Sequence, residues 1–398
     1  MYFIFLFDKD LLRLFSLLCS MQFSIHKNFQ LNGKHFGRKD FCHSALDAES
    51  KSKLKIDSPQ LFSFLSDFLS DSETVNVQTS GSTGKPKLIE IKKEFMINSA
   101  LATGEFFDLK ENTTALLCMN PKFIAGKMML VRAMVLGWQL DVVPPSSNPL
   151  NGVEKVYDFC AMVPMQVHHS LDELYKIKKL IIGGGAVSKE LDTKLQTIKT
   201  EVFATYGMTE TITHIAVKKL NNFQDVTLNG IERSFYETLP NITISKDNRG
   251  CLVIDAPKVS SNIVVTNDLV ELISDTQFQW LGRFDNIINS GGIKLIPEQI
   301  EEKLAEIISE RFFVTGIKDA VLGEKLILIV EKGSKELKVR NVISTSLYDQ
   351  KSVILNEVKN LKSLTKYEMP KEIYFVEKFV ETDTKKIQRK MTLDLIEF

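Results

Sequence analysis

The chain has 398 residues, 44% hydrophobic and 25% charged, and its fifty basic and fifty acidic side chains cancel. That length accommodates one large and one small domain, and the balanced charge gives no support for nucleic acid as a partner. Five cysteines without a CxxC pair and six histidines without metal-ligand spacing speak against a zinc site or disulfide framework, and for a reducing compartment.

Residues 1–20 are apolar but interrupted by Asp8-Lys9-Asp10. The run is too short and broken for a membrane span and lacks the basic opening of a secretory signal. Met21 opens a more ordinary stretch, as an upstream misreading of the start would leave. No stable membrane insertion is expected, and the cytoplasm is the expected location. Residues 1–73 thus read as a short lead-in, ending in a helical candidate over Leu61–Leu69.

A strand-like run, Thr74–Gln78, precedes Thr79, Ser80, Gly81, Ser82, Thr83, Gly84, Lys85, Pro86 and Lys87. Glycines permit turns that aim successive backbone N–H groups at one anion, and the lysines add charge, so this loop can wrap a polyphosphate. A flexible Ser/Gly linker is the plain alternative. A Walker A loop fits poorly, because Pro86 stands where that motif needs a hydroxyl for magnesium.

Helix-compatible spacing follows over Phe95–Phe107, then a buried-strand candidate at Ala115–Met119 and a mostly apolar helix over Ala125–Leu136 with Lys127 and Arg132 as its charges. Gln139–Pro144 reads as strand into turn, Phe159–Val163 as strand, Val167–Tyr175 as helix, and Leu180–Ile182 as strand running into Gly183, Gly184 and Gly185. Alternating short strands and helices predict an α/β fold with a largely parallel sheet. Beyond residue 210 strands and turns dominate, as in Asn241–Ser245 and Cys251–Ile254. A helix opens at Pro297, and the last hundred residues read as a small α+β unit. The expected domains are 74–284 and 285–398.

Two segments sit oddly: His43–Ser50 and Ser352–Leu361. Each adds length where a connection is already complete, and each resembles a peptide encoded by a mobile DNA repeat; ordinary loop and helix is the alternative. As insertions they belong in surface connections, away from catalysis.

Four further segments carry chemistry. In Ala204–Thr211 (ATYGMTET) a strand ending at Tyr206 would present Thr209 and Glu210 at the sheet edge where open α/β sheets bind ligands, and a carboxylate there can hold magnesium. Thr-Glu at a strand end is otherwise a common helix cap. In Val264–Leu272, Asp268 ends a β-branched run and can accept the hydroxyls of a ribose, or simply make a turn. Gly282–Glu301 places Arg283 and Asp285 about an aromatic residue, then Gly291-Gly292 and a helix-opening Pro297. Thr382–Lys390 (TDTKKIQRK) is basic, as solvated tails often are.

Taken together, TSGSTGKPK, YGMTE and GRFDN…GG…PEQIE resemble, in order from about residue 74 to residue 391, the core motifs of the adenylate-forming superfamily of acyl-CoA synthetases. FIAGKMMLVRA (Phe123–Ala133), MVPMQV, TNDLVEL and INSGGIKL narrow the resemblance to o-succinylbenzoate–CoA ligases of menaquinone biosynthesis, in shortened form. It implies a large adenylate-forming domain carrying a small mobile C-terminal domain. It also implies ATP, Mg²⁺, coenzyme A and a small carboxylic acid as the bound molecules.

By resemblance, Thr79 through Lys85 and Lys87 would bind ATP, with Ser80, Ser82, Thr83, Lys85 and Lys87 cradling the β- and γ-phosphates; Thr209 would touch the α-phosphate and Glu210 would bind Mg²⁺. Asp268 and Arg283 would fix the ribose, while Gly183–Gly185 and Tyr206 would flank the adenine. Asp285 would be the hinge, Gly291 and Gly292 would line the pantetheine tunnel, and Lys386 would stabilise adenylation. Lys385 replaces the family's glycine, and Ile387 and Arg389 set the register that makes Lys386 the catalytic lysine. The acid's second carboxylate would need a cation or hydroxyl cluster; Lys127 or Arg132 could serve, and either could equally be a surface charge on its helix. Another acid, or an impaired nucleotide-binding relative, is the competing reading.

Overall fold

The computed structural model describes residues 24–37, 58–78, 88–221, 235–332, 337–339, 342–344, 354, 356–382 and 386–396. The phosphate-loop candidate 79–87, Lys385 and the His43–Ser50 segment lie outside them.

A two-stranded ribbon, β1 (Gln30–Leu31) and β2 (Lys34–His35), precedes helix α1 (Pro59–Leu69). Ser58 caps that helix, its Oγ accepting from the Leu61 amide at 3.3 Å, and Pro59 occupies the first turn, where its missing N–H costs nothing. Strands β3 (Thr74–Gln78) and β4 (Leu88–Lys92) form an antiparallel pair, so Gln78 and Leu88 are held opposite each other at the two ends of the segment 79–87. Helix α2 (Lys93–Phe106) follows, then β5 (Thr114–Leu117), α3 (Ile124–Leu136) and β6 (Gln139–Val142). Next come β7 (Tyr157–Met162), α4 (Pro164–His169), β8 (Ile177–Ile182), α5 (Lys189–Leu195) and β9 (Glu201–Gly207).

Strands β6, β5, β7, β8 and β9 run parallel, and their side chains alternate between two cores. Leu117, Phe159, Ala161 and Ile181 join the core that holds Met96 and Ala100 of α2 and Met128 to Val131 of α3. Leu116, Cys160, Met162, Leu180 and Ile182 join the opposite core, against Val167, Leu191 and Leu195. With a layer on each face, period-two alternation vanishes and the strands read as continuous apolar runs. Two of the scattered cysteines meet in the second core, Cys118 and Cys160, with their sulfurs 3.8 Å apart.

The sheet does not stop where the parallel pattern ends. Strands β10 (His214–Lys219), β11 (Tyr236–Thr238), β12 (Thr243–Lys246), β13 (Cys251–Asp255), β14 (Val264–Leu272) and β15 (Gln277–Arg283) extend it, all antiparallel. The result is a thirteen-stranded sheet in the order β12-β13-β14-β15-β11-β10-β9-β8-β7-β5-β6-β1-β2. The expectation of a largely parallel sheet therefore holds only for one half. A second difference is local: the helix expected over Val167–Tyr175 ends at His169 and continues as a 3₁₀ segment, Leu171–Lys176. Buried Ser170 ends it, its Oγ bonded to Asn148.

A 3₁₀ turn, Phe284–Asn286, leads out of the large sheet into a smaller one. Strands β16 (Ile288–Ser290) and β17 (Ile293–Leu295) open it, followed by α6 (Pro297–Leu304), β18 (Phe312–Asp319) and β19 (Gly323–Glu331). The short pair β20 (Leu337–Val339) and β21 (Val342–Ser344) stands apart, β22 (Glu372–Val376) joins β19 in parallel, and α7 (Arg389–Leu393) lies near the C-terminus. This unit has its own core of Ile300, Leu304, Val314, Leu328 and their neighbours.

In Ser352–Leu361, of which residues 354 and 356–361 are described, part of the segment contributes to the core. Ile354, Val358 and Leu361 are at most 5% exposed and belong to that core. Their spacing of four and three puts them on one helical face, and burying side chains of this size is worth roughly 1.5–3 kcal/mol each. Of its described residues, these three enter the core while Asn356, Lys359 and Asn360 stay exposed.

Candidate active site

Three parallel strands end together. Met162 of β7 pairs with Ile182 of β8, which pairs with Ala204 of β9, so Gly183–Gly185 and Thr205–Glu210 emerge along one edge. Gly183 donates its amide to Met162, and Thr205 Oγ1 donates to the Ile182 carbonyl at 2.9 Å. Past Tyr206 the chain must reverse into β10, and Gly207 makes that possible: a Cβ there would lie 2.2 Å from the Thr213 carbonyl oxygen.

The reversal carries Thr209 and Glu210 on a 3₁₀ turn. Buried Thr211 locks it: its hydroxyl lies 3.1 Å from the carbonyls of Met208 and Thr213 and accepts from the Met208 amide at 3.3 Å. Ile212 closes the turn at φ 67 and ψ −60, a conformation costing a β-branched residue about 1–3 kcal/mol. Glu210 stands exposed on this rigid turn, in no ion pair among the described residues. Its hard oxygens suit Mg²⁺.

Asp268 is only 6% exposed, and three donors converge on it. Tyr206 donates its hydroxyl to Oδ2 at 2.7 Å, Trp280 donates its indole N–H to Oδ1 at 3.1 Å, and Arg283 Nη1 reaches Oδ1 at 3.5 Å. Asp268 and Arg283 are partners in the β14–β15 ladder, so backbone register alone sets them side by side. Burial, and then the Asp268 charge, push the Tyr206 phenol well above the ordinary tyrosine range, so it serves Asp268 as a permanent donor. A carboxylate has about four lone-pair sites; with three engaged, a ribose would have to displace one donor to place both hydroxyls. The Tyr206 ring packs against Tyr236 and Phe278 at 5.8 and 5.2 Å.

Arg283 also reaches Asp285 at 3.1 Å, and Asn267 donates to both Asp285 oxygens at 3.1 Å. Asp285, in the turn between the two sheets, is thus held from the large one. Gly291 and Gly292, at φ 59 and 81, form the two-residue turn between β16 and β17.

Lys386 sits in a hairpin-like return in which the Thr382 amide donates to the Lys386 carbonyl at 2.9 Å and the Lys386 amide to Thr382 Oγ1 at 3.1 Å. It keeps solvent access, yet crowding around its ammonium, and then the Arg283 charge, lower its pKa below the ordinary lysine value. Lys386, Arg283 and Asp268 therefore share one electrostatic neighbourhood. Arg389 anchors the return: it grips Glu301 of α6 through Nη1 at 2.8 Å and Nη2 at 2.9 Å, and donates to the Val314 carbonyl at 2.9 Å. Nothing in a basic tail announces that anchor; only the pairing of Arg389 with PEQIE across the fold reveals it.

The two candidate cations on α3 part company. Lys127 extends over the Phe64 ring of α1, 4.9 Å from its centroid. Arg132 is 2% exposed and faces Thr103 of α2 and His214 of β10. Its Nε lies 3.3 Å from Thr103 Oγ1 and its Nη2 3.4 Å from His214 Nδ1; the Met129 sulfur is 3.9 Å from Nη1. Among the described residues no carboxylate pairs with it. His214 sits opposite Gly207 in the β9–β10 ladder, so Arg132 is one side chain removed from the strand end that carries Thr209 and Glu210. A cleft of about 220 Å³ has Asn98, Ser99, Ala102, His214, Leu239 and Ile242 in its lining.

The family model described as AMP-binding enzyme matches residues 47–243. An acyl-CoA synthetase (AMP-forming)/AMP-acid ligase II-like protein from Dyadobacter fermentans has the same fold, with a TM-score of 0.55 and 35% identity over 87% of this chain and 97% of that one. The chain belongs to the AMP-binding enzyme family. This AMP-binding enzyme is accordingly an ATP-dependent, AMP-forming acid–thiol ligase by class. It is also 24% identical to the 2-succinylbenzoate–CoA ligase of Lactococcus lactis, over 86% of this chain and 76% of the relative. The o-succinylbenzoate coenzyme A synthetase of Bacillus subtilis, solved with ATP and a magnesium ion, shares the fold at TM-score 0.64 and 19% identity, over 80% of this chain and 69% of that one. Among the described residues no helix is long and apolar enough to cross a membrane.

Proposed function

We propose that this AMP-binding enzyme joins o-succinylbenzoate to coenzyme A through an acyl-adenylate. The observation that carries the choice of acid is Arg132, a buried guanidinium with no carboxylate partner among the described residues, beside the strand end of the site. A buried charge is strongly disfavoured unless paired, and an acid that keeps a second carboxylate after activation supplies the missing partner. The names of the relatives point the same way.

In the first half-reaction the acid's carboxylate oxygen attacks the α-phosphorus of ATP and the bond to the β,γ-pyrophosphate breaks. Two anions meet and charge grows on phosphoryl oxygen, so catalysis is mainly positioning and electrostatics. Ser80, Ser82, Thr83, Lys85 and Lys87 hold the β- and γ-phosphates, Thr209 the α-phosphate, and Asp268 with Arg283 the ribose, beside an adenine flanked by Gly183–Gly185 and Tyr206. Lys386, anchored through Arg389, stabilises the reacting oxygens. Glu210 would hold Mg²⁺, which when bound would neutralise phosphate charge. In the second half-reaction the coenzyme A thiolate attacks the acyl carbon and AMP leaves. Rotation of the small unit about Asp285 withdraws Lys386 and brings Gly291-Gly292 to the pantetheine arm.

The test is incubation with ATP, Mg²⁺, coenzyme A and either o-succinylbenzoate or 4-oxo-4-phenylbutanoate, which lacks the aromatic carboxylate. The expected products are o-succinylbenzoyl-CoA, AMP and pyrophosphate, identified by mass. A preference for the monoacid of about tenfold in kcat/KM, worth about 1.4 kcal/mol, overturns the substrate assignment.

A further inference from the structure

Arg132, Thr103, His214 and Thr213 form one hydrogen-bonded cluster. Thr103 Oγ1 has one proton and two lone pairs. It donates to the Ser99 carbonyl at 2.9 Å, so both lone pairs are left to accept: one from Arg132 Nε at 3.3 Å, the other from His214 Nε2 at 3.5 Å. His214 must then carry its proton on Nε2. Its Nδ1 is the acceptor that Arg132 Nη2 needs at 3.4 Å, because a guanidinium has only donors; the Thr213 hydroxyl lies 3.5 Å from the same nitrogen. Of the five guanidinium N–H groups, one goes to Thr103, one to His214 and one toward the weakly accepting Met129 sulfur. Two remain.

We infer that His214 is a positioning residue for acid selectivity: a neutral, Nε2-protonated imidazole that fixes the rotation of the Arg132 guanidinium so that its two free N–H groups meet the acid's second carboxylate. Burial, and then the Arg132 charge, lower the His214 pKa well below the ordinary histidine value, which keeps Nδ1 free to accept. The inference rests on the reading of Arg132 as that carboxylate's partner. His214 lines the cleft and also contacts the guanidinium, whereas Arg132 itself does not line the cleft. An apolar replacement would keep the wall and remove the acceptor.

The experiment compares His214→Leu, His214→Asn and Thr103→Val with the wild type, measuring kcat and KM for o-succinylbenzoate and for 4-oxo-4-phenylbutanoate. Losing a hydrogen bond to a charged group costs on the order of tenfold or more in binding. His214→Leu should therefore raise KM for the diacid about tenfold, leave KM for the monoacid within about twofold, and leave kcat little changed. His214→Asn can place an oxygen near the Nδ1 position and should restore most of the diacid affinity. Should the leucine variant not fold, Thr103→Val carries the test, since loss of the hydroxyl releases both Arg132 Nε and His214 Nε2 and should weaken the diacid selectively. Equal KM increases for both acids, no change for the diacid, or an asparagine variant as impaired as leucine overturns the role of His214. A wild type indifferent to the second carboxylate overturns the substrate reading instead, and is recognised before any variant is made.

Discussion

Replacing Arg132 by methionine should make the ligand-free protein more stable while removing its selectivity for a diacid. Burial pulls the Arg132 guanidinium well below the ordinary arginine value, to about 9. Arginine nevertheless keeps its proton at neutral pH, so the protein carries the cost of the buried charge as lost stability. At 1.36 kcal/mol per pKa unit, that gap is on the order of 5 kcal/mol. Methionine forfeits the bonds to Thr103 and His214, each worth about 1 kcal/mol net, and strands their polar atoms at a further cost of about 1 kcal/mol or more. A net gain of about 1–3 kcal/mol remains, within the range seen when buried ions give way to apolar side chains. Urea unfolding at pH 7 without substrates should show a higher midpoint for Arg132→Met at an unchanged slope. Adding o-succinylbenzoate at about a hundred times its Kd should stabilise the wild type by about 2.7 kcal/mol and the variant hardly at all. A ligand-free variant less stable by about 1 kcal/mol would refute the reasoning, since it would mean that Arg132 is already satisfied within the fold.

Lys386→Ala should depress acyl-adenylate formation by about 10²-fold or more while sparing thioester formation from pre-made adenylate, and Lys385→Ala should leave both nearly intact; equal loss in both half-reactions would remove Lys386 from the chemistry. Because crowding and Arg283 lower the Lys386 pKa, wild-type adenylation should fall as pH rises through a value below 10.5, and an alkaline limb unchanged in Lys386→Arg would contradict this. Glu210→Gln should shift the Mg²⁺ dependence of pyrophosphate release to higher concentration, whereas an unchanged titration would make Glu210 only a turn residue. Ile354→Ala should lower the stability of the small unit by about 2–4 kcal/mol in denaturant unfolding, and a change under about 0.5 kcal/mol would show that the segment does not support the core.

The parallel half of the sheet was legible because its strands are short apolar runs between helices, a pattern that survives without knowledge of what pairs with what. The antiparallel half was visible only as strands and turns. Its attachment to β9 depends on the reversal at Gly207, which is a tertiary fact. Thr209, Glu210, Asp268, Arg283 and Lys386 could be named from motif residues, but not their geometry. That Asp268 already serves three donors follows from the β14–β15 register, and a ladder register cannot be read from one strand. Arg132 was harder still. A helix that is apolar on nearly every side has no periodic stripe to tell which way its arginine points, so a surface charge and a buried one look alike. His214 left no signal, since Arg132 and Thr103 lie 82 and 111 residues away along the chain.

The helical segment around Ile354, Val358 and Leu361 has a consequence for descent as well as for folding. If such a stretch arrived as an addition to a connection, it did not stay one: its side chains now fill space among those of α6, β18 and β19. Excision would leave an apolar void rather than restore an earlier surface, so the acquisition works as a ratchet. The lineage can change the residues of the segment, but it can no longer lose the segment in one step.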